Sequence, residues 1–402
     1  MSKLQEILSE FKDISAAPKK QFNAYLDRGK KVIGCMPYFC PEELVHAAGM
    51  VPFGLWGAET RVSEARSYLP AFICSIIQTT LELGIRGSYD GLSAVMIPIL
   101  CDSLKSMDGN WRYGVKDIPV IPVAHAQNRK TQAGAEFTAS QYRKVLAALE
   151  QISGKTVTDD DIRASIAVYN KRNATVRRFI DESAKRPGII SPSARNAVFK
   201  SGYFLDASEY TEKVGRLVSC IENDPPPGSA SPPGSTSPPG SASPPESASP
   251  PGNAGARLIT CGIIADNTGL LKILDECGVI IIDDVVTYES LRYRYDAPEN
   301  SDPVMSLALL IGDVEGCPVL YDPGKKRGDM LVSLVRERAA DGVLFVMTKF
   351  CDPEEYDIVP LKRVLDKNGI RSLSVEVDQQ TTDAEQIRTA LETFCEILKT
   401  IQ

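Results

Sequence analysis

Three of the ten cysteines in this 402-residue chain stand where an α/β protein could put a thiolate to use. Cys351 follows Val343–Met347, an unbroken apolar run rich in β-branched residues, and precedes Asp352-Pro353-Glu354-Glu355. The run reads as a strand buried on both faces. The acidic stretch reads as a helix start, with Asp352 expected as N-cap and Pro353 at the first helical position. Cys101 sits likewise, ending the apolar run Leu92–Leu100 and preceding Asp102; Cys74 opens a helix after Pro70-Ala71-Phe72-Ile73. The crevice at the carboxyl ends of parallel strands is where open α/β sheets bind ligands, and a helix N-terminus favours an anionic sulfur. Soft thiolates select zinc, copper(I) or iron–sulfur. With only two histidines, His46 and His125, an all-thiolate site is easier to build than an imidazole one.

Spacing alone does not decide the matter. The three cysteines lie 27 and 250 residues apart, with no CxxC clamp. A small buried core thiol remains the competing reading for each. Cys35 and Cys40 form a rival pair; Cys220, Cys261, Cys277, Cys317 and Cys395 fall in helix or strand contexts that suit plain burial.

The elements that must position these thiols divide the chain into five stretches. Residues 1–30 form a helical segment with Leu4, Ile7, Leu8 and Phe11 on one face, and 31–133 an α/β domain of alternating strand and helix. Residues 134–224 are helical almost throughout, and 256–402 form a second α/β domain. The expectation is two Rossmann-like, doubly wound parallel-sheet domains with their strand ends toward one crevice. Between the helical segment and the second domain, 225–255, lies a hexapeptide repeat running PPGSAS, PPGSTS, PPGSAS, PPESAS and PPG to Gly252. With Pro225 it holds 11 of the chain's 27 prolines, and it has no large apolar residue, so its composition is that of a disordered linker.

Composition excludes some functions. Hydrophobic residues make up 43%, enough for sizeable cores, and the net charge of −7 without a basic stripe argues against nucleic acid. No apolar run is long enough to cross a bilayer, and the first residues lack a signal-peptide core. A cytoplasmic protein with reduced cysteines is expected. No GxGxxG, Walker A, GxSxG or HExxH pattern occurs, which argues against nucleotide hydrolysis.

Five stretches together carry a family resemblance: IGCMPYFCPEELVHAAGMVPFGLWG (33–57), YLPAFICSIIQTTLELG (68–84), IPILCDSLKSM (97–107), KFCDPEEYD (349–357) and VEVDQQTT (375–382). On them the chain closely resembles the β subunit of (R)-2-hydroxyacyl-CoA dehydratases, such as the 2-hydroxyisocaproyl-CoA enzyme. More distantly it is similar to benzoyl-CoA reductase subunits. The resemblance spans nearly the whole chain apart from the linker. It implies that Cys74, Cys101 and Cys351 hold one [4Fe–4S] cluster whose fourth iron carries a non-protein ligand. It implies a heterodimer with an α subunit that holds the 2-hydroxyacyl-CoA, and a separate ATP-dependent iron–sulfur activator protein. The implied reaction is a redox-neutral loss of water: one electron added to the thioester carbonyl gives a ketyl radical, which expels the α-hydroxyl and acidifies the β-proton, and the electron returns at the end.

Two alternatives stand beside this reading. This chain could itself bind the acyl-CoA, in which case Glu43 and His46 are acid/base candidates, although His46 within an apolar helix also suits a packed structural role. Or the same cysteines could belong to a non-enzymatic zinc or thiol-redox protein.

Overall fold

The computed structural model describes residues 2–36, 39–223, 255–379 and 385–401. All of the proline-rich stretch except Gly255 lies outside the described residues, and so do Pro37, Tyr38, and Gln380 to Ala384. The chain opens with α1 (Lys3–Ala16) and α2 (Pro18–Asp27). The first α/β unit follows as β1 (Val32–Cys35), α3 (Glu42–Ala47), β2 (Val51–Gly54), α4 (Ser75–Ile85), β3 (Ala94–Pro98), α5 (Asp102–Gly114) and β4 (Val120–Val123). Four helices come next: α6 (Gln132–Ser153), α7 (Asp159–Ala184), α8 (Pro192–Ser201) and α9 (Ala207–Asn223). The second unit contains β5 (Arg257–Gly262), α10 (Thr268–Glu276), β6 (Ile280–Val286), α11 (Pro303–Asp313), α12 (Arg327–Glu337), β7 (Gly342–Thr348), α13 (Asp352–Lys367), β8 (Ser372–Val377) and α14 (Glu385–Ile401).

Each unit has a four-stranded parallel sheet, and the strand order is the same in both, β2-β1-β3-β4 and β6-β5-β7-β8. The expected pair of Rossmann-like units is therefore present. Parallel strands carry helices on both faces, and the strand sequences show it: VIGC, AVMIP and the first five residues of GVLFVMT are buried throughout. On the first sheet, Val32, Val95 and Ile97 pack with Trp111 on one face, while Ile33, Met96 and Ile121 meet Tyr142 on the other. On the second, Leu258 and Leu344 pack under α10 and α14, and Ile259 and Phe345 under α12 and α13. A helical layer joins Ile7 and Phe11 of α1 to Phe179, Phe199 and Leu217.

In each sheet the chain reverses direction between the first and third strands, that is between β1 and β3 and between β5 and β7. That is the switch point where the crevice opens. Cys101 follows β3 by three residues and Cys351 follows β7 by three residues, so the two occupy the same place in the two units.

Several local expectations need correction. Residues 2–30 are two helices, because Pro18 cannot continue α1 and takes the N1 position of α2. Gly84 lies inside α4, where a Cβ would meet the Trp111 ring at 3.0 Å. Asp352 is not an N-cap: Cys351 is, and Asp352 is the first helical residue. β6 runs through Asp283 and Asp284, since each aspartate is paired with arginine rather than left to solvent. Three helices lacked an expectation of their own, α5, α8 and α11. α11 packs Val304, Leu307 and Ile311 against the face of the first sheet that α6 covers, which interlocks the two units.

A candidate three-cysteine metal centre

All three helices that begin at the crevice with a cysteine use it in the same way. Cys74, Cys101 and Cys351 are the N-cap residues of α4, α5 and α13. None of the three side chains makes a capping hydrogen bond of full geometry. Phe350 reaches this geometry with a φ of +60°, a left-handed conformation uncommon outside glycine, and the tight turn is closed by Cys351 N–H donating to the Thr348 carbonyl at 3.0 Å. Beyond the turn Cys351 joins the core that contains Cys74, Ile77 and Leu104.

The three cysteines line one small cavity of about 20 Å³, whose other walls include Ile77, Leu104, Ile263, Val319 and Phe350. Cys74 and Cys351 are each 7% exposed. Burial pushes the Cys74 thiol up to about 12 and raises Cys101 and Cys351 as well. Two of the sulfurs also raise a neighbour: Cys101 acts on Cys74, and Cys74 and Cys101 act on Cys351. Opposing this, the N–H three residues on, of Ile77, Leu104 and Glu354 respectively, favours each thiolate. Three buried thiols that resist ionisation on their own form a site that ionises when a cation binds and displaces their protons.

Three thiols from three helix N-termini are a donor set that an iron–sulfur cluster accepts. Among the described residues no group of three His, Cys, Asp or Glu side chains is close enough to hold a single metal ion. In a cluster each thiolate binds a different iron, so the sulfurs stand apart around it. The space now between the thiols is about that of one water, and admitting a cluster requires the cysteines to turn outward around it. Three helix N-termini aimed at the cavity suit the negative charge of such a cluster.

Beside Cys351, Glu354 is 2% exposed, accepts a hydrogen bond from Thr348 N–H at 2.9 Å and is pushed up to about 7 by burial. It was not singled out in the sequence, although the CDPEE run placed it one helical turn from the cysteine.

Glu43 and His46 are not at this cavity. Glu43 lines a separate cavity of about 80 Å³ with Cys40, Tyr142, Arg172 and Arg292. His46 Nδ1 lies 2.9 Å from Ser165 Oγ, and its ring meets Tyr169 edge-on at 5.8 Å, so it is a packed, partnered histidine. Cys40 donates to the Met36 carbonyl at 3.1 Å, and Cys35 is buried in β1. Glu43 is 9% exposed and burial pushes its carboxyl up to about 7. A carboxyl whose folded value exceeds its unfolded one favours folding at low pH, and that gain is lost as pH rises from the usual carboxylate range to about 7. Glu43→Gln removes the titration. Relative to wild type, the variant is expected to be more stable at pH 8 than at pH 5, by on the order of 1–3 kcal/mol in chemical denaturation; an equal difference at both pH values would refute the shift.

Comparison with known proteins follows the same outline. The 2-hydroxyglutaryl-CoA dehydratase, D-component family matches residues 37–398. The chain belongs to this family. It is 44% identical over 400 residues to the (R)-phenyllactyl-CoA dehydratase beta subunit of Clostridium sporogenes, covering 99% of this chain and 100% of that one. It is 38% identical to the (R)-2-hydroxyglutaryl-CoA dehydratase subunit beta of Acidaminococcus fermentans, over 98% and 100% of the two chains. Against the lactoyl-CoA dehydratase subunit beta of Anaerotignum propionicum the identity is 36%, over 99% and 100%. The family match begins just before the Cys40 motif and runs past α13, so Cys74, Cys101 and Cys351 all fall within it. No helix among the described residues is long and apolar enough to cross a membrane.

Proposed function

We propose that this chain is the β subunit of a 2-hydroxyacyl-CoA dehydratase, a hydro-lyase, and that Cys74, Cys101 and Cys351 hold a [4Fe–4S] cluster. The observation that carries the cluster assignment is the meeting of three helix N-cap cysteines from two α/β units at one apolar cavity. The β-subunit names of relatives that match end to end support the reaction class. When bound, the cluster supplies a one-electron relay for the redox-neutral loss of water from a 2-hydroxyacyl thioester.

The chain's own residues do the rest. Cys101 and Cys351, at equivalent places after β3 and β7, offer one thiolate from each unit, and Cys74 adds the third from α4. Ile77, Leu104, Ile263 and Val319 keep the cavity apolar and limit water. First-turn amides of α4, α5 and α13 face the sulfurs and favour their charged form. A low-dielectric, water-poor surround of this kind tunes a metal group's potential. Activity requires an α subunit to hold the substrate and an ATP-driven activator to deliver the electron.

Two measurements test this reading. Anaerobically purified or reconstituted protein is expected to be brown, with iron and sulfide in equal amounts, whereas a zinc or thiol-redox protein would be colourless. Omitting each component in turn from a reconstituted system is expected to abolish dehydration. Turnover by this chain and the activator without a second subunit would move the active site here and overturn the relay role.

A further inference from the structure

The cysteines of the cavity come from two sides, Cys74 and Cys101 from the first unit and Cys351 from the second. Their common cavity exists only if the units are held in one register at the start of α4. Gln379, two residues beyond β8, is 6% exposed and turns its polar atoms toward the first unit. Its backbone N–H donates to Ser75 Oγ at 3.2 Å, and its side-chain Nε2 donates to the Trp56 carbonyl at 3.3 Å. The Thr79 hydroxyl in turn donates to Gln379 Oε1 at 2.7 Å. Ser75 is the residue after Cys74, and Thr79 lies one turn further along α4.

The backbone after Trp56 is shaped around the same amide. Gly57 has a φ of +76°, and a Cβ there would lie 2.7 Å from Gln379 Oε1 and closer still to Thr79 Oγ1. Apolar contact alone would hold the two units together without direction; three hydrogen bonds from one side chain and its backbone fix an angle as well as a distance.

We infer that Gln379 is a positioning residue for Cys74: it locks the N-terminus of α4 to the second unit and so places the Cys74 sulfur with those of Cys101 and Cys351. It is not among the residues that line the cavity, and it acts through Ser75, Thr79 and Trp56. This deepens the cluster reading proposed above and rests on it for its purpose, but the geometry concerns the thiol's position and can be tested without metal.

The test compares the metal-free full chain with Gln379→Ala and Gln379→Glu, measuring by mass spectrometry how fast iodoacetamide labels each cysteine. The glutamate variant keeps the acceptor for Thr79 and loses the donor toward Trp56. Cys74 is expected to label faster in Gln379→Ala, by roughly three- to tenfold for each net hydrogen bond lost, with Gln379→Glu between it and wild type and Cys101 unchanged. Should the alanine variant fail to fold, the glutamate variant alone carries the comparison. Unchanged Cys74 labelling, or an equal rise at every cysteine, would overturn the inference. After anaerobic reconstitution the same variants are expected to give up iron to a chelator faster than wild type, with an altered electron paramagnetic resonance spectrum. Faster Cys74 labelling in the variants, together with a wild type that takes up no cluster, would uphold the positioning role and reject the cluster.

Discussion

Cys351→Ser is expected to lose most of the iron that wild type takes up under strict anaerobiosis. Serine is a hard, weakly acidic donor with little affinity for cluster iron, and its loss leaves two protein ligands, both from the first unit. The cavity would keep its shape, because Cys351 is small and its backbone turn is held by the bond to Thr348. The fold should therefore survive, and iron content then reads the ligand directly. Cys74→Ser and Cys101→Ser are expected to do the same. Cys220→Ser and Cys395→Ser are the controls, since neither residue lines the cavity; both should retain iron. Full iron in Cys351→Ser, measured per chain alongside sulfide, would sink the assignment.

The second large effect is on stability. Asp284 in β6 is fully buried and ion-paired to Arg195 of α8, whose side chain is 4% exposed. The aspartate also accepts N–H bonds from Val286 and Ser290, each at 3.0 Å. Asp284→Ala leaves the arginine charged and without its carboxylate in the interior, and that cost is about 3–5 kcal/mol. A chemical denaturation curve should show a loss of that size, and the double variant Asp284→Ala/Arg195→Met should recover part of it, because the stranded charge is then gone. A loss under about 1 kcal/mol, the scale of an exposed pair, would show that solvent reaches the site.

Much of the site was legible in the sequence because its signals are local. A buried parallel strand must be apolar on both faces, and the turn that follows must break that pattern, so the runs ending near Cys101 and Cys351 marked the crevice without a structure. The family motifs then joined Cys74 to them. Other features depend on partners distant in sequence, and single-sequence patterns carry no trace of them. Two adjacent acids such as Asp283-Asp284 read alone as a break in an apolar strand, whereas the arginines that neutralise them, Arg195, Arg294 and Arg338, belong to other elements. α11 was missed because its apolar face is spent on the first unit rather than on its own sheet. Gln379 sits in a quoted motif, yet nothing near it in the chain announces Ser75, Thr79 or Trp56, some three hundred residues away. Glu43 and His46 show the reverse case: their types suggested acid–base chemistry, and their surroundings account for them as a buried carboxyl and a satisfied ring.

The matching places of Cys101 and Cys351 bear on the mechanics of the chain as a polymer. A group that binds both acts as a cross-link between residues 250 positions apart. Closing a loop of 100 residues already removes about 4.7 kcal/mol of freedom from the unfolded chain, and the cost grows slowly with length. Metal uptake would then do for this protein what a long-range disulfide does for a secreted one, with the repetitive proline tract contained inside the loop that it closes. Because the two units already share core residues, the metal-free chain should still unfold as one body, and the loaded chain should do so at a higher temperature, an effect that calorimetry reads directly.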